Sequence, residues 1–213
     1  MLNRISCADR EEWLANRSIG IGASESAATV GLSPWMTPLD LWKQKTGASK
    51  PKDLSGDEFV ARGIRMEPAI RTMFQALHPE YEIEYHAYDI LHQAERPWLF
   101  ATLDGELTDE SGRKGILEIK TSTPSGKAGW AQWSDGKLPS QYYTQVCHQL
   151  LATGYDFVIL FAALWSMNGD ITLRQYEIER TEIWDDMAWL LEKETEFWRH
   201  VEDGTAPPTI LVL

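Results

Sequence analysis

The sequence lacks several things that would have settled its class at once. It has no apolar run of about eighteen residues, so no segment reads as a membrane-spanning helix. Its only cysteines, Cys7 and Cys147, stand far apart and without CxxC spacing. Two cysteines cannot by themselves ligate a structural zinc or an iron–sulfur cluster, and free thiols in a reducing compartment are expected. The stretch MLNRISCADREEW has no apolar core of the kind a secretory signal needs, which predicts a cytoplasmic protein. The 5 histidines fall at no ligand-like spacing and are read as structural or surface groups. Internal repeats and low-complexity linkers are also missing, so the 213 residues are read as one domain, 1–213, with a substantial core.

What is present begins with charge. A net charge of −12 argues against a nucleic-acid partner until its distribution is considered. Residues 1–70 carry 9 basic and 9 acidic residues, with Lys43, Lys45, Lys50, Lys52, Arg62 and Arg65 close together. From Ile171 onward there are 4 basic and 10 acidic residues, half of the whole deficit. A neutral, locally basic front and an acidic back suit a protein that meets DNA on one face.

Periodicity sketches the elements. A helix is expected near Ala8 and another from Ser24, where SESAA follows RSIGIGA. TPLDLWKQKTG reads as a short helix with Pro38 at its start and Gly47 past its end. A longer helix is expected over 57–77, with Phe59, Ile64, Ile70 and Phe74 among its apolar positions and a kink or break at Pro68. Then the period shortens. YEIEYHAYDI (81–90), WLFATL (98–103) and GILEIK (115–120) read as strands, and the polar stretch ending in SGRKG joins the last two. A helix over 139–153 closed by Gly154, a buried strand FVILFAALW, an alternating strand ITLRQYEIE and a helix over 181–201 complete the chain. The order predicts an α/β fold: a central mixed sheet flanked by helices.

Two acids and a lysine then stand out. Side chains alternate along a strand, so Glu118 and Lys120 share one face while Leu117 and Ile119 share the other. If the strand ending near Leu103 pairs with 115–120, Asp104 comes close to Glu118. Two carboxylates on adjoining strands make a hard, oxygen-rich site suited to Mg²⁺ or Mn²⁺. A lysine beside it can hold water or stabilise charge on a phosphate. The bland reading of the same residues is a surface Glu118–Lys120 salt bridge with Asp104 in a turn.

Asp104 followed by Glu118-Ile119-Lys120 resembles the PD-(D/E)xK nuclease signature. RSIGIGASE with Arg17 and Ser24, GIRMEPAIR with Glu67, and YYTQVCHQL with Gln145 extend the resemblance to the lambda exonuclease and YqaJ-type viral recombinase family. The motifs occur in the family's order from Trp13 to Leu151, leaving the strands and helix of 155–203 as a C-terminal portion. Leu103 stands where the signature has proline, and the interval between the two acids is long.

The resemblance implies a PD-(D/E)xK-like fold and assigns roles. Asp104 and Glu118, with the Ile119 carbonyl, would be metal ligands, Lys120 would position water, and Glu67 would be a further acid of the site. Arg17 and Ser24 would grip a 5′-phosphate, with Thr102 and Gln145 near other phosphates. A guanidinium and a hydroxyl at a helix start are chemically suited to that task. The implied activity is a 5′-to-3′ exonuclease on double-stranded DNA, using two Mg²⁺ ions (Mn²⁺ substituting) and leaving 3′ overhangs for recombination by strand annealing. A ring-shaped homotrimer, a single-strand annealing recombinase as partner and the cytoplasm of a bacterial or phage-infected cell are implied as well. An internally cutting endonuclease of the same fold, or a non-catalytic DNA-end binder, are the alternatives.

Overall fold

The front of the chain is assembled from short pieces with strong end signals, and the computed structural model describes residues 1–208. Strand β1 (Leu2–Ser6) precedes helix α1 (Arg10–Ser18), which starts at Asp9, whose side chain accepts from Glu12 N. A two-residue strand β2 (Ile21–Gly22) leads into a 3-10 turn over Ala23–Glu25 and the short helix α2 (Ser26–Thr29). The helix expected from Ser24 is thus a 3-10 turn with one helical turn behind it. Helix α3 (Pro38–Lys45) has a Thr37–Asp40 capping box and proline in its first turn.

Helix α4 (Glu58–Leu77) runs unbroken through Pro68, against the expected break. Proline costs the helix one backbone bond. Here Pro68 lies on the exposed side, where water can serve the freed carbonyl, and its own carbonyl accepts from Thr72 Oγ1 at 3.0 Å. Of the apolar positions foreseen, Ile70 and Phe74 are buried, whereas Phe59 and Ile64 face solvent.

The segment 81–90 is not one strand. It divides into β3 (Glu82–Glu84) and the start of β4 (Asp89–Gln93), which belong to different sheets. Tyr88 between them has φ 64°, a left-handed turn that no strand accommodates. Strand β4 pairs antiparallel with β1, and β5 (Leu99–Phe100) pairs in parallel with β2.

The central sheet adds β6 (Gly105–Thr108), β7 (Lys114–Ser122), β8 (Phe157–Trp165) and β9 (Ile171–Glu179) to β3, in the order β3-β6-β7-β8-β9. Only the β7–β8 pair is parallel, which makes the sheet mixed as expected. Its crossover carries α5 (Gly126–Ala131) and α6 (Ser140–Thr153), the latter ended by Gly154 at φ 77°. Helix α7 (Trp184–Glu202) is the last helix of the described residues. One face of the sheet buries Leu117, Ile119, Ile159 and Phe161 against Ile70 and Phe74 of α4. The other buries Ile116, Val158 and Leu160 against Val146 and Leu150 of α6 and Met187 and Leu190 of α7. The result is a helix–sheet–helix sandwich in which β7 is central and touches both helical layers.

Candidate active site

The hairpin that sets the acids is one step removed from the expected one. The partner of β7 is β6, which follows Asp104, and not the 98–103 segment that precedes it. Gly105 stands opposite Leu117, so one further step would bring Asp104 opposite Glu118. There the ladder ends, and Asp104 Oδ2 instead accepts from Ile119 N at 2.7 Å. The acids still converge, because a short strand starting at Gly105 delivers Asp104 as well as one ending at Leu103 would have done.

Glu118 lies on the α6 side of β7 and is only 2 % exposed. Its Oε1 accepts from Lys120 Nζ at 2.6 Å and from Gln145 Nε2 at 2.7 Å, and its Oε2 accepts from Gln149 Nε2 at 2.5 Å. The Glu118–Lys120 ion pair of the bland reading exists, but it is buried. Burial of a charge is costly unless hydrogen bonds replace water, and these three donors do so. Lys120 Nζ also lies 5.0 Å from the Tyr142 ring centre. From the opposite layer, Glu67 accepts from Arg71 Nη2 at 2.5 Å, while Arg71 Nε donates to the Asp104 backbone oxygen at 2.6 Å.

The charges are strongly linked. Burial, with the Glu118 and Glu67 carboxylates nearby, raises the Asp104 carboxyl well above its ordinary range. Burial also raises Glu67, against the pull of Arg71. For Lys120, burial acts to lower the ammonium pKa, but Glu118 and Asp104 outweigh it and the net direction is up. Three carboxyl groups face one ammonium, Lys120, and one guanidinium, Arg71, so with all of them ionised one negative charge is left over, the setting in which a divalent cation is stabilising. Among the described residues no three His, Cys, Asp or Glu side chains converge into a ready-made metal cage. The candidate donors, two carboxylates and a backbone carbonyl, are all oxygens, a set that suits a hard ion such as Mg²⁺ better than a nitrogen- and sulfur-preferring zinc.

The second group of expected residues assembles at the front. Arg17 Nη2 donates to Ser24 Oγ, and the guanidinium lies 5.0 Å over the Trp13 ring. Trp13 Nε1 in turn donates to Thr102 Oγ1 at 3.0 Å, two residues before Asp104. Gly22 makes room for this: a Cβ there would lie 2.7 Å from Arg17 Nε. Lys45, expected with Lys43, Lys50 and Lys52 to meet a DNA backbone, is spent on Glu25 at 2.8 Å with its side chain 5 % exposed. The other three lysines are exposed.

The sequence singles out Asp104, Glu118, Ile119, Lys120, Glu67, Gln145, Arg17, Ser24 and Thr102, and the structure brings them into these two connected groups. Sequence reasoning passed over Gln149, Arg71 and Trp13. Each of those sits four residues from a residue it did find, on the same helix face: Gln145–Gln149, Glu67–Arg71 and Trp13–Arg17.

This fold is that of the phage-type exonucleases. An alkaline exonuclease from Laribacter hongkongensis superposes with a TM-score of 0.64 at 18% identity, over 91% of this chain and 93% of that one. The crystal structure of that exonuclease in complex with dAMP gives 0.66 over the same shares and at the same identity. Residues 12–156 match the YqaJ-like viral recombinase domain, and the chain belongs to that family. The protein YqaJ of Bacillus subtilis (strain 168) is 31% identical over 208 residues, 97% of this chain. The chain spans 61% of the length of that relative.

Proposed function

We propose that the protein is a divalent-metal-dependent exonuclease that shortens linear double-stranded DNA from the 5′ end, releasing mononucleotides and leaving a 3′ single-stranded overhang. The observation that carries this reading is the physical link between two groups of side chains. The Asp104–Glu118–Lys120 cluster is suited to cleaving a phosphodiester, and the Arg17–Ser24 pair is suited to a terminal phosphate. Trp13 and Thr102 join them.

Asp104 and Glu118, with the Ile119 carbonyl, would hold Mg²⁺, or Mn²⁺ in its place. When bound, the ion supplies a water acidic enough to serve as nucleophile and offsets charge on the phosphate. Lys120, an ammonium held by Glu118, would orient an attacking water or meet the oxygen charge that grows as the bond breaks. Gln145 and Gln149 fix the Glu118 carboxylate so that it does not swing away. Glu67, steadied by Arg71, adds a carboxylate to the site from α4 and would help to hold a second ion. Arg17 and Ser24 hold the terminal phosphate by charge-assisted hydrogen bonds, which selects an end over an internal position.

Family membership supports the wider setting: work beside a single-strand annealing recombinase, in the cytoplasm of a bacterial or phage-infected cell, as a homotrimer around DNA. Helix α7 leaves Trp184 and Trp189 exposed, an apolar surface open to self-association. The reading is tested with linear duplex labelled at its 5′ or 3′ end, beside closed circular DNA, in the presence of Mg²⁺. Labelled mononucleotide from the 5′ end and an intact circle are expected. Cutting of the circle would replace this reading with an endonuclease.

A further inference from the structure

Trp35 is the most exposed aromatic side chain among the described residues, at 71%. A soluble protein gains by burying an indole, and one left in solvent beside a chemical site calls for a ligand. Trp35 lies in the connection between α2 and α3, flanked by Pro34 and preceded by Ser33, whose hydroxyl accepts from Trp35 N at 3.3 Å. Pro34 and the Thr37–Pro38 helix start restrict this connection, so the ring is presented on a stiff support.

The ring is not isolated. Its centre is 6.5 Å from that of Tyr142, at an interplanar angle of 45°. Tyr142 is backed on its inner side by the buried Trp133 at 5.4 Å. Tyr142 also carries Lys120 Nζ at 5.0 Å from its ring centre. A run of aromatic rings therefore starts in the core at Trp133, passes the lysine of the site at Tyr142, and ends in solvent at Trp35.

We propose that Trp35 and Tyr142 form a stacking subsite for one unpaired nucleobase, that of the nucleotide whose phosphate lies against Lys120. This rests on the nuclease reading given above and adds to it a base-contacting site. A phosphate beside an ammonium with aromatic faces next to it is how proteins hold single-stranded nucleic acid without reading its sequence. Every base has a π-face, so such a subsite tolerates all four, as an enzyme that moves along arbitrary DNA requires. A base can reach Trp35 only after leaving its partner strand, so the subsite also favours an opened end.

The test crosses the protein with the substrate. Steady-state kcat and KM are measured for wild type, Trp35→Ala and Trp35→Phe on 5′-phosphorylated duplexes carrying an abasic site at each of the first four positions in turn. In wild type, loss of the base at one position should reduce kcat/KM by roughly 5- to 100-fold, the range expected for one stacked base. Trp35→Ala should be slow on the intact duplex by a similar factor and indifferent to the abasic site, and Trp35→Phe should restore most of the difference. A Trp35→Ala enzyme as fast as wild type on intact duplex, or one that keeps the full abasic penalty, overturns the proposal. So does a variant changed only in sedimentation, which would make Trp35 a protein contact. Failure of the underlying reading looks different: wild type would cleave none of these duplexes. In that case equal binding of a 5′-tailed oligonucleotide by wild type and Trp35→Ala in EDTA, read by anisotropy, would overturn the subsite as well.

Discussion

Glu118 shows how much of this site is built to hold one side chain still. Three donors on two carboxylate oxygens at 2 % exposure is more than a structural ion pair needs. Of the three, Gln149 is the donor that touches nothing else in the reaction, and its own Oε1 has no partner. Gln149→Met removes the only donor to Glu118 Oε2 among the described residues while keeping the volume. An unpaired buried carboxylate oxygen costs roughly 1–3 kcal/mol, so urea unfolding should show a loss of that order, with cleavage slowed as Glu118 loosens. Unchanged stability and rate would show that the contact is incidental. Arg17 allows a sharper experiment on the substrate. A terminal monoester carries more negative charge than an internal diester, so 5′-phosphorylated duplex should be degraded faster than 5′-hydroxyl duplex. Arg17→Ala should shrink that difference by about ten- to hundredfold, the equivalent of about 1.5–3 kcal/mol of charge-assisted bonding. Equal wild-type rates on both ends would remove Arg17 and Ser24 from the mechanism.

At the scale of elements, α6 is the beam on which the site hangs, and it is anchored from behind. His148 is fully buried, with Nδ1 at 2.7 Å from Glu194 of α7 and Nε2 at 3.0 Å from the Phe100 carbonyl of β5. One imidazole thus ties α6 to α7 and to the strand that leads toward Asp104. Removing Glu194 leaves His148 Nδ1 buried with neither water nor partner, while Nε2 keeps Phe100, so Glu194→Ala should destabilise by roughly 1–3 kcal/mol in urea unfolding, far from the reacting groups. A change under about 1 kcal/mol would mean the helix is held by packing alone. The elements were legible in the sequence where pattern and length agreed: β7, β8, β9, α4, α6 and α7 follow from alternation, continuous apolar runs or helical spacing. They were illegible where two residues of strand suffice, as in β2, because so short a run has no period, and the strand read over 98–103 shrinks for the same reason to the two residues of β5. The hairpin was misassigned for the same reason: β6 has four residues, and Asp104 begins it from outside. Asp104 and Glu118 come together despite that error because their pairing was read from residue type and strand face. Gln149, Arg71 and Trp13 were passed over because a helical neighbour four residues away is equally often surface decoration, and only the folded chain shows which one turns inward.

For the whole molecule, the separation of charge sets the expected face for DNA. With Lys45 committed to Glu25, Lys43 at the end of α3 and Lys50 and Lys52 in the connection from α3 to α4 remain as exposed cations. Neutralising all three with glutamine should flatten the salt dependence of DNA binding by about one unit of slope for each phosphate that no longer meets a lysine. Neutralising Lys45 should instead loosen the front of the chain. An unchanged slope in the triple variant would show that these lysines only keep the loop soluble. The central claim, however, is that Asp104 and Glu118 exist to hold a divalent cation against an otherwise unfavourable concentration of negative charge. Calorimetric titration of Mg²⁺ or Mn²⁺ into the wild-type protein and into Asp104→Ala, Glu118→Ala and Lys120→Ala variants tests it most directly. Saturable binding that is weakened in both acid variants and retained in Lys120→Ala is the predicted result, and metal affinity unchanged in both acid variants would contradict it.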